Sequence, residues 1–326
     1  MQELIAPALE TQFEKDVYKG LTDYPKHLSS QYFYDATGDK LFQDIMDMPE
    51  YYLTDREFEI LSENTEEIAQ LFAQGNASFK LTELGAGDGM KTKILLKYLS
   101  ENNFDFKYQP IDISQNALDG LEKSLRNELP QVLVETRQGT YFETLSAINA
   151  ENGTKKVILF LGSNIGNLLH PQAMEFLRNI QEVMQKEDLL LVGFDMKKNP
   201  QIILDAYNDP KGITATFNKN VLTRINRELD GNFNLDKFRH WEVYNPESGT
   251  AKSYLVAMEG HTVTLEKLDL QVNFEAWETI HTEISQKYDD RTIKWLADRA
   301  GLKIVTEFGD AKGQYKNYVF RRKKKQ

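Results

Sequence analysis

The chain has 326 residues, enough for two modest domains or one elaborated one, and its 40% hydrophobic and 27% charged content is that of a soluble globular protein. A formal net charge of −11 excludes a general nucleic-acid binder, which needs surplus Lys and Arg against phosphate. Cys is absent, which removes disulfide frameworks and thiolate metal sites and fits a reducing, cytoplasmic setting. No apolar run reaches membrane-spanning length. The opening MQELIAPALETQFEKD has no basic stretch ahead of an apolar core, so no signal peptide is expected.

Residues 11–60 are rich in Asp, Glu and Tyr and hold no strand pattern. Short helices joined by turns at Thr37-Gly38 and Met48-Pro49 are expected there. On their own, Tyr51 and Tyr52 read as core aromatics under a turn. Thr54 and Glu57 have capping-box spacing, which predicts one helix from there to about Leu71, stopped by Gly75-Asn76.

From Phe79 the pattern becomes α/β. Strands at 79–84, 106–112, 131–137, 156–161 and 188–194 alternate with helices at 90–102, 114–127 and 171–185, which predicts a parallel doubly wound sheet. VILFLGS and LLLVGFD are nearly all apolar, as central strands covered on both faces must be. Asn164 and Asn167 in GSNIGN suit a turn and a cap for the helix after Pro171. The alternation then breaks. Residues 196–228 read as helical, and FRHWEVYN, AKSYLVAME and LDLQVNFE read as antiparallel strands. From Arg291 a helix and two strands restore the α/β character. The expected division is 61–195 plus 287–326 for one domain and 1–60 plus 196–286 for a second. The closing RRKKKQ reads as a solvated tail whose deletion leaves activity intact.

One stretch carries chemistry. FKLTELGAGDGM runs from an apolar strand ending near Glu83, through Gly85, Gly87 and Gly89, into a helix. A strand, a Gly-rich turn and a helix let a ligand approach bare backbone. Met90 stands where the dehydrogenase fingerprint needs its third glycine, and no phosphate-binding G-x-x-x-x-G-K-[ST] occurs. Asp112 ends the next strand, FKYQPIDI, where it can accept from ribose hydroxyls. E-x-G-x-G followed by this Asp resembles motif I and its sequel in class I S-adenosylmethionine (SAM) methyltransferases.

Further stretches narrow the resemblance. FYDATGDKLFQDIMDMPEYYLTDRE, FLGSNIGN, DMKKNPQIILDAYNDPKGITATFNKNVL and IHTEIS resemble, in order from about residue 25 onward, the histidine Nα-methyltransferases of ergothioneine biosynthesis. The resemblance implies a Rossmann-like domain with a second α+β substrate-binding domain. It also implies three successive methyl transfers from SAM to the α-amino group of histidine, yielding hercynine and S-adenosylhomocysteine. Glu83 belongs to the implied cofactor motif. Gly85, Gly87 and Lys91 would line the methionine part of SAM, Asp112 would hold the ribose, and Gly162 would fall beside the same pocket. The family places an acid before an aromatic against the adenine. GTYFE supplies Thr140 and Tyr141, which keeps the stacking ring and lacks the carboxylate. For the amino acid, Asn167 and Tyr207 match the carboxylate binders, and Tyr34 the tyrosine near the amino group. Tyr51 matches one facing the imidazole side, and Glu283 with Ser285 the pair that grips imidazole. Two residues apart in a strand, Glu283 and Ser285 share a face.

One departure bears on the acceptor: Ser253 in AKSYLVA stands where the family has an apolar residue. The readings that stay open are another aromatic amino acid or a histidine derivative as acceptor, and a binding protein without turnover. A free α-amino group has a pKa of roughly 7.7–8.0, so a neutral lone pair exists near neutrality and positioning supplies most of the acceleration. Tyr34 is the candidate catalytic residue. No metal is expected, because the five histidines lie far apart, and His281 reads as structural. The expected partner is a small molecule, bound by a monomer with no nucleic acid or membrane.

Overall fold

A computed structural model of the chain describes residues 9–75, 78–140 and 154–323. Helix α1 (Gln12–Thr22) opens them, started by Thr11 and Glu14 in a reciprocal capping box. Helix α2 (Ala36–Met46) follows, its first amides at Thr37 and Gly38 bonded to the Asp35 carboxylate. Instead of one helix from Thr54, there are two, α3 (Tyr52–Glu63) and α4 (Thr65–Ala73). The break falls at Asn64, whose amide side chain donates to the Ile60 carbonyl at 2.8 Å. Thr54 and Glu57 therefore lie inside α3 and cap nothing; both are buried.

Strand β1 (Ser78–Leu84), α5 (Thr92–Glu101), β2 (Asp105–Asp112) and α6 (Gln115–Glu128) then alternate as expected. The strand expected at 131–137 shrinks to β3 (Arg137–Gln138), with a single bridge from Val134 to Tyr108 before it. Next come β4 (Lys155–Phe160), α7 (His170–Val183) and β5 (Leu189–Asp195). Asn164–Asn167 form a short 3-10 turn. Neither asparagine caps α7, which is preceded by Leu169 and has Pro171 in its first turn. The helical stretch after 196 divides into α8 (Pro200–Tyr207) and α9 (Ile213–Glu228). Between them Gly212 takes φ of 74°, and Asp209 accepts from the Ile213 and Thr214 amides that open α9.

Strands β6 (Phe238–Asn245), β7 (Thr250–Ala257), β8 (His261–Leu265), β9 (Leu270–Phe274) and β10 (Thr279–Gln286) follow. Helix α10 (Asp290–Arg299), β11 (Leu302–Gly309) and β12 (Tyr315–Arg322) close the described chain. The basic end is not wholly a tail: Arg321 and Arg322 belong to β12 and donate to Gln74 and to the Met184 carbonyl. Lys324–Gln326 lie outside the described residues.

The chain divides into two compact units, one of Tyr52–Lys198 with Gln286–Gln326, the other of Met1–Tyr51 with Asn199–Ser285. The first holds a seven-stranded sheet in the order β11-β12-β5-β4-β1-β2-β3. β5, β4, β1, β2 and β3 run parallel, and β12 is antiparallel to both neighbours. Because the chain goes from β1 to β2 on one side and returns as β4 on the other, the turn after β1 lies where the order of connections reverses, the place where such sheets bind ligands. β4 and β5 are buried throughout, which explains their unbroken apolar runs. The second unit packs α9 through Phe217, Val221, Leu222 and Ile225 against a three-stranded sheet, β10-β7-β6, beside the β8-β9 hairpin. β6 alternates Phe238, His240 and Glu242 inward with Arg239, Trp241 and Val243 outward. Among the described residues no helix is long and apolar enough to cross a membrane.

Candidate active site

In the sheet unit, the carboxyl ends of β1 to β4 gather the residues expected to meet SAM. The parallel register sets Leu84 beside Ile111, and the Ile111 carbonyl accepts from the amides of Gly85 at 2.8 Å and Ala86 at 3.2 Å. The chain then turns through Gly85 (φ 74°), Gly87 (54°) and Gly89 (66°), left-handed values that a side chain resists. Among the described residues a Cβ at Gly87 would meet no atom within 4 Å, so they leave the backbone there open to a ligand, whereas one at Gly89 would strike Leu121 at 2.4 Å. Asp112 leans over the turn: one oxygen accepts from the Gly87 amide and the other from Ser114, both at 2.9 Å. Burial raises its pKa, and the bonds from Ser114 and Gly87 work against that rise. At β3 the Gly139 amide donates to the Asp112 carbonyl, which puts half-buried Thr140 next to the same strand end. Tyr141 lies outside the described residues.

Glu83 is not on the surface of this turn but beneath it. It accepts from the Thr92 hydroxyl at 2.6 Å and from the Tyr108 hydroxyl, tying β1 to α5 and β2. Burial pushes its pKa up to about 7.

Lys91 and Gly162 are brought together by a residue the sequence reading missed. Glu57, fully buried, accepts from Lys91 Nζ at 2.6 Å, from the Gly162 amide at 2.7 Å and from Asn317 at 2.9 Å. The close approach demands Gly193 in β5, where a Cβ would fall 2.2 Å from Glu57 and 2.3 Å from Tyr315. A signal for Glu57 existed. It stands four after Leu53 and three before Ile60, on the apolar stripe of α3, where an unpaired carboxylate is not tolerated. Asn167 ends the 3-10 turn beyond β4 and is exposed.

The second unit collects the other predicted residues along a chain of rings. Tyr34 meets Phe42 and Phe217 edge-on at 5.6 and 5.5 Å. Phe42 meets Tyr51 at 6.3 Å, and Tyr51 meets Tyr207 at 6.4 Å. The Tyr207 hydroxyl, at the end of α8, lies 2.7 Å from Ser285 Oγ on β10. Glu283 accepts from Asn218 of α9 at 3.4 Å and from Ser253 of β7 at 3.3 Å. Asn218 is itself fixed, accepting from Thr282 at 2.7 Å. His281 is held by its backbone, which pairs with Lys26 and Leu28; burial pushes its imidazole down to about 4, so it is neutral. Among the described residues no group of three or more His, Asp or Glu is placed to hold a metal.

A doubly wound sheet with an open glycine turn at the end of its first strand and an Asp at the end of the second defines a class I SAM-dependent methyltransferase. The residues fit the donor: no described residue obstructs the Gly87 backbone, and Asp112 presents oxygens beside it. Residues 13–322 match the family described as "Histidine-specific methyltransferase, SAM-dependent", and the chain belongs to that family. It is 35% identical over 301 residues, 92% of each chain, to the "Histidine N-alpha-methyltransferase" of Mycobacterium tuberculosis. It is 34% identical over 312 residues to the protein of that name from Mycolicibacterium smegmatis, covering 96% of this chain and 95% of that one. The "Ergothioneine biosynthesis protein 1" of Schizosaccharomyces pombe is 28% identical over 298 residues, 90% of this chain and 38% of that one.

Proposed function

We propose that the protein transfers three methyl groups in succession from SAM to the α-amino group of L-histidine, forming hercynine, a step of ergothioneine synthesis. SAM supplies an electrophilic methyl on a sulfonium. In this reading Gly85, Gly87 and Lys91 hold its methionine part, Asp112 its ribose, Thr140 and Tyr141 its adenine side, and Gly162 lines the same end of the sheet. Tyr34 orients the neutral amine. Its hydroxyl suits a nitrogen that loses N–H donors with each transfer, because it both accepts and donates. Asn167 and Tyr207 take the carboxylate, Tyr51 faces the ring, and Glu283 with Ser285 accepts and donates at the imidazole nitrogens.

The observation that carries the reading is the run from Tyr34 through Tyr51 and Tyr207 to Ser285, with Glu283 two residues away on β10. It supplies both hydroxyls and a carboxylate along one aromatic wall. Ser253 beside Glu283 favours a second reading, the same chemistry on a histidine derivative or another aromatic amino acid. Incubation with SAM and a panel of amino acids, followed by mass spectrometry, separates them. Three methyl increments on histidine are expected. No gain on histidine with gain on another acceptor overturns the first reading.

A further inference from the structure

Asn164, the first residue of the 3-10 turn after β4, caps no helix, yet its side chain has a defined place. The two residues before it, Gly162 (φ 70°) and Ser163 (φ 55°), are both left-handed, which turns the chain back over the strand end. That conformation is strained for a residue with a Cβ, and the Ser163 hydroxyl holds it by accepting from the Asp195 amide at 3.1 Å. The Asn164 amide is thereby folded beside Gly162. A Cβ on that glycine would lie 3.7 Å from Asn164 Oδ1, 3.8 Å from Nδ2 and 3.3 Å from Lys91 Nζ. The amide and the ammonium thus flank one small space, which a glycine keeps clear. Gly162 and Asn164 are both half-buried, so the space can be reached from solvent. Among the described residues nothing hydrogen-bonds to the Asn164 side chain. A half-buried amide without a protein partner takes its bonds from water or from a ligand.

We infer that Asn164 is a cofactor-binding residue, whose amide N–H joins the Lys91 ammonium in taking the carboxylate of the methionine part of SAM. The inference rests on the reading that Lys91 faces that part of the cofactor. An ammonium has three hydrogens, and Lys91 gives one to Glu57 at 2.6 Å. Its charge is therefore already balanced by a buried anion. A second carboxylate arriving at the remaining hydrogens needs a further donor close by, and an amide supplies one. The amine of the same methionine part is a cation that Lys91 repels, so the carboxylate is the group that suits this pair. An acid at position 164 would add its charge to that of Glu57 and turn the incoming carboxylate away.

The test is calorimetric binding of S-adenosylhomocysteine and of its decarboxylated analogue, which keeps the adenine, ribose, sulfur and amine. Wild-type protein should bind the intact compound about tenfold or more tighter than the analogue. Asn164→Ala should weaken the intact compound about tenfold, the scale of one lost bond to a charged group, and leave the analogue within about twofold. Asn164→Asp, nearly the same in shape, sets a carboxylate against the ligand's own. It should bind the intact compound more weakly than the alanine variant does, and the analogue no more weakly than wild type. Equal losses for both ligands in Asn164→Ala would mean a structural role in the turn and overturn the inference. So would wild-type discrimination under about threefold, a result that needs no variant to fold. Wild-type protein that binds neither compound overturns the cofactor placement in the proposed function and this inference with it. Discriminating wild-type binding that Asn164→Ala leaves unchanged overturns the inference alone.

Discussion

Glu57 joins three stretches of chain far apart in sequence: the lysine after the glycine turn, the glycine after β4, and an asparagine of β12. A fully buried carboxylate is tolerated only because three donors surround it. Glu57→Ala should therefore cost about 3–5 kcal/mol of unfolding free energy, since it leaves the Lys91 ammonium and the Asn317 amide without their acceptor. It should also raise the KM for SAM, because Lys91 loses the group that aims it. Urea unfolding and initial rates read both; a loss below about 1 kcal/mol would make the cluster incidental. Tyr34, Tyr51, Tyr207 and Glu283 could be singled out as candidates because each sits in a stretch whose order along the chain resembles a family. Glu57 was hidden because Thr54 three residues before it imitates a capping box, which masked the signal of a carboxylate on the apolar stripe of α3.

Strands and helices were readable where pairing on both sides enforces a pattern, as in β4 and β5. They were less so at edges. Among the described residues β3 has one neighbour, β2, and Leu133 just before it is largely exposed, so little of the apolar run there is held in the sheet. The join of β1, α5 and β2 through Glu83 makes a prediction at this scale. Its carboxyl has a folded pKa of about 7 against 4.5 for an unburied glutamate, through burial. Between those values the folded chain holds a proton the unfolded chain has released. Its contribution is thus fully present below 4.5 and is lost as pH rises through 7. Glu83→Gln should remove that slope. Urea midpoints of the two proteins measured across this window should diverge as pH rises, the variant gaining relative to wild type. Parallel curves would show that Glu83 does not titrate there.

On the scale of the whole molecule, the chain passes between its two units three times, after Tyr51, Lys198 and Ser285. The break in α/β alternation after Asp195 was visible as a change of period. What anchors the passages was not, because it depends on side chains contributed by three separate segments. On the sheet side, each crossing is followed or preceded within two residues by a group bound to Asp195. Tyr52 donates to it at 2.8 Å, Lys287 at 2.7 Å, and Lys198 pairs with it while lying 4.1 Å over the Tyr52 ring. Asp195 and Lys287 are fully buried. Burial opposes the charge on Asp195, yet Lys287 and Lys198 outweigh it and hold its pKa below the usual value. Burial pushes Lys198 down to about 8 from 10.5, with Asp195 working against that fall. Asp195→Asn leaves two ammonium groups without their shared anion and should cost about 3–5 kcal/mol at pH 7. Between 8 and 10.5 the unfolded chain binds the Lys198 proton and the folded one does not, so stability from this group rises with pH. The deficit of the variant should therefore narrow in urea unfolding repeated near the top of that window, where Lys198 is neutral and needs no partner. A deficit that stays constant, or widens, would mean that the charge on Lys198 contributes nothing to it, and that Lys287 and Tyr52 carry the whole effect of Asp195.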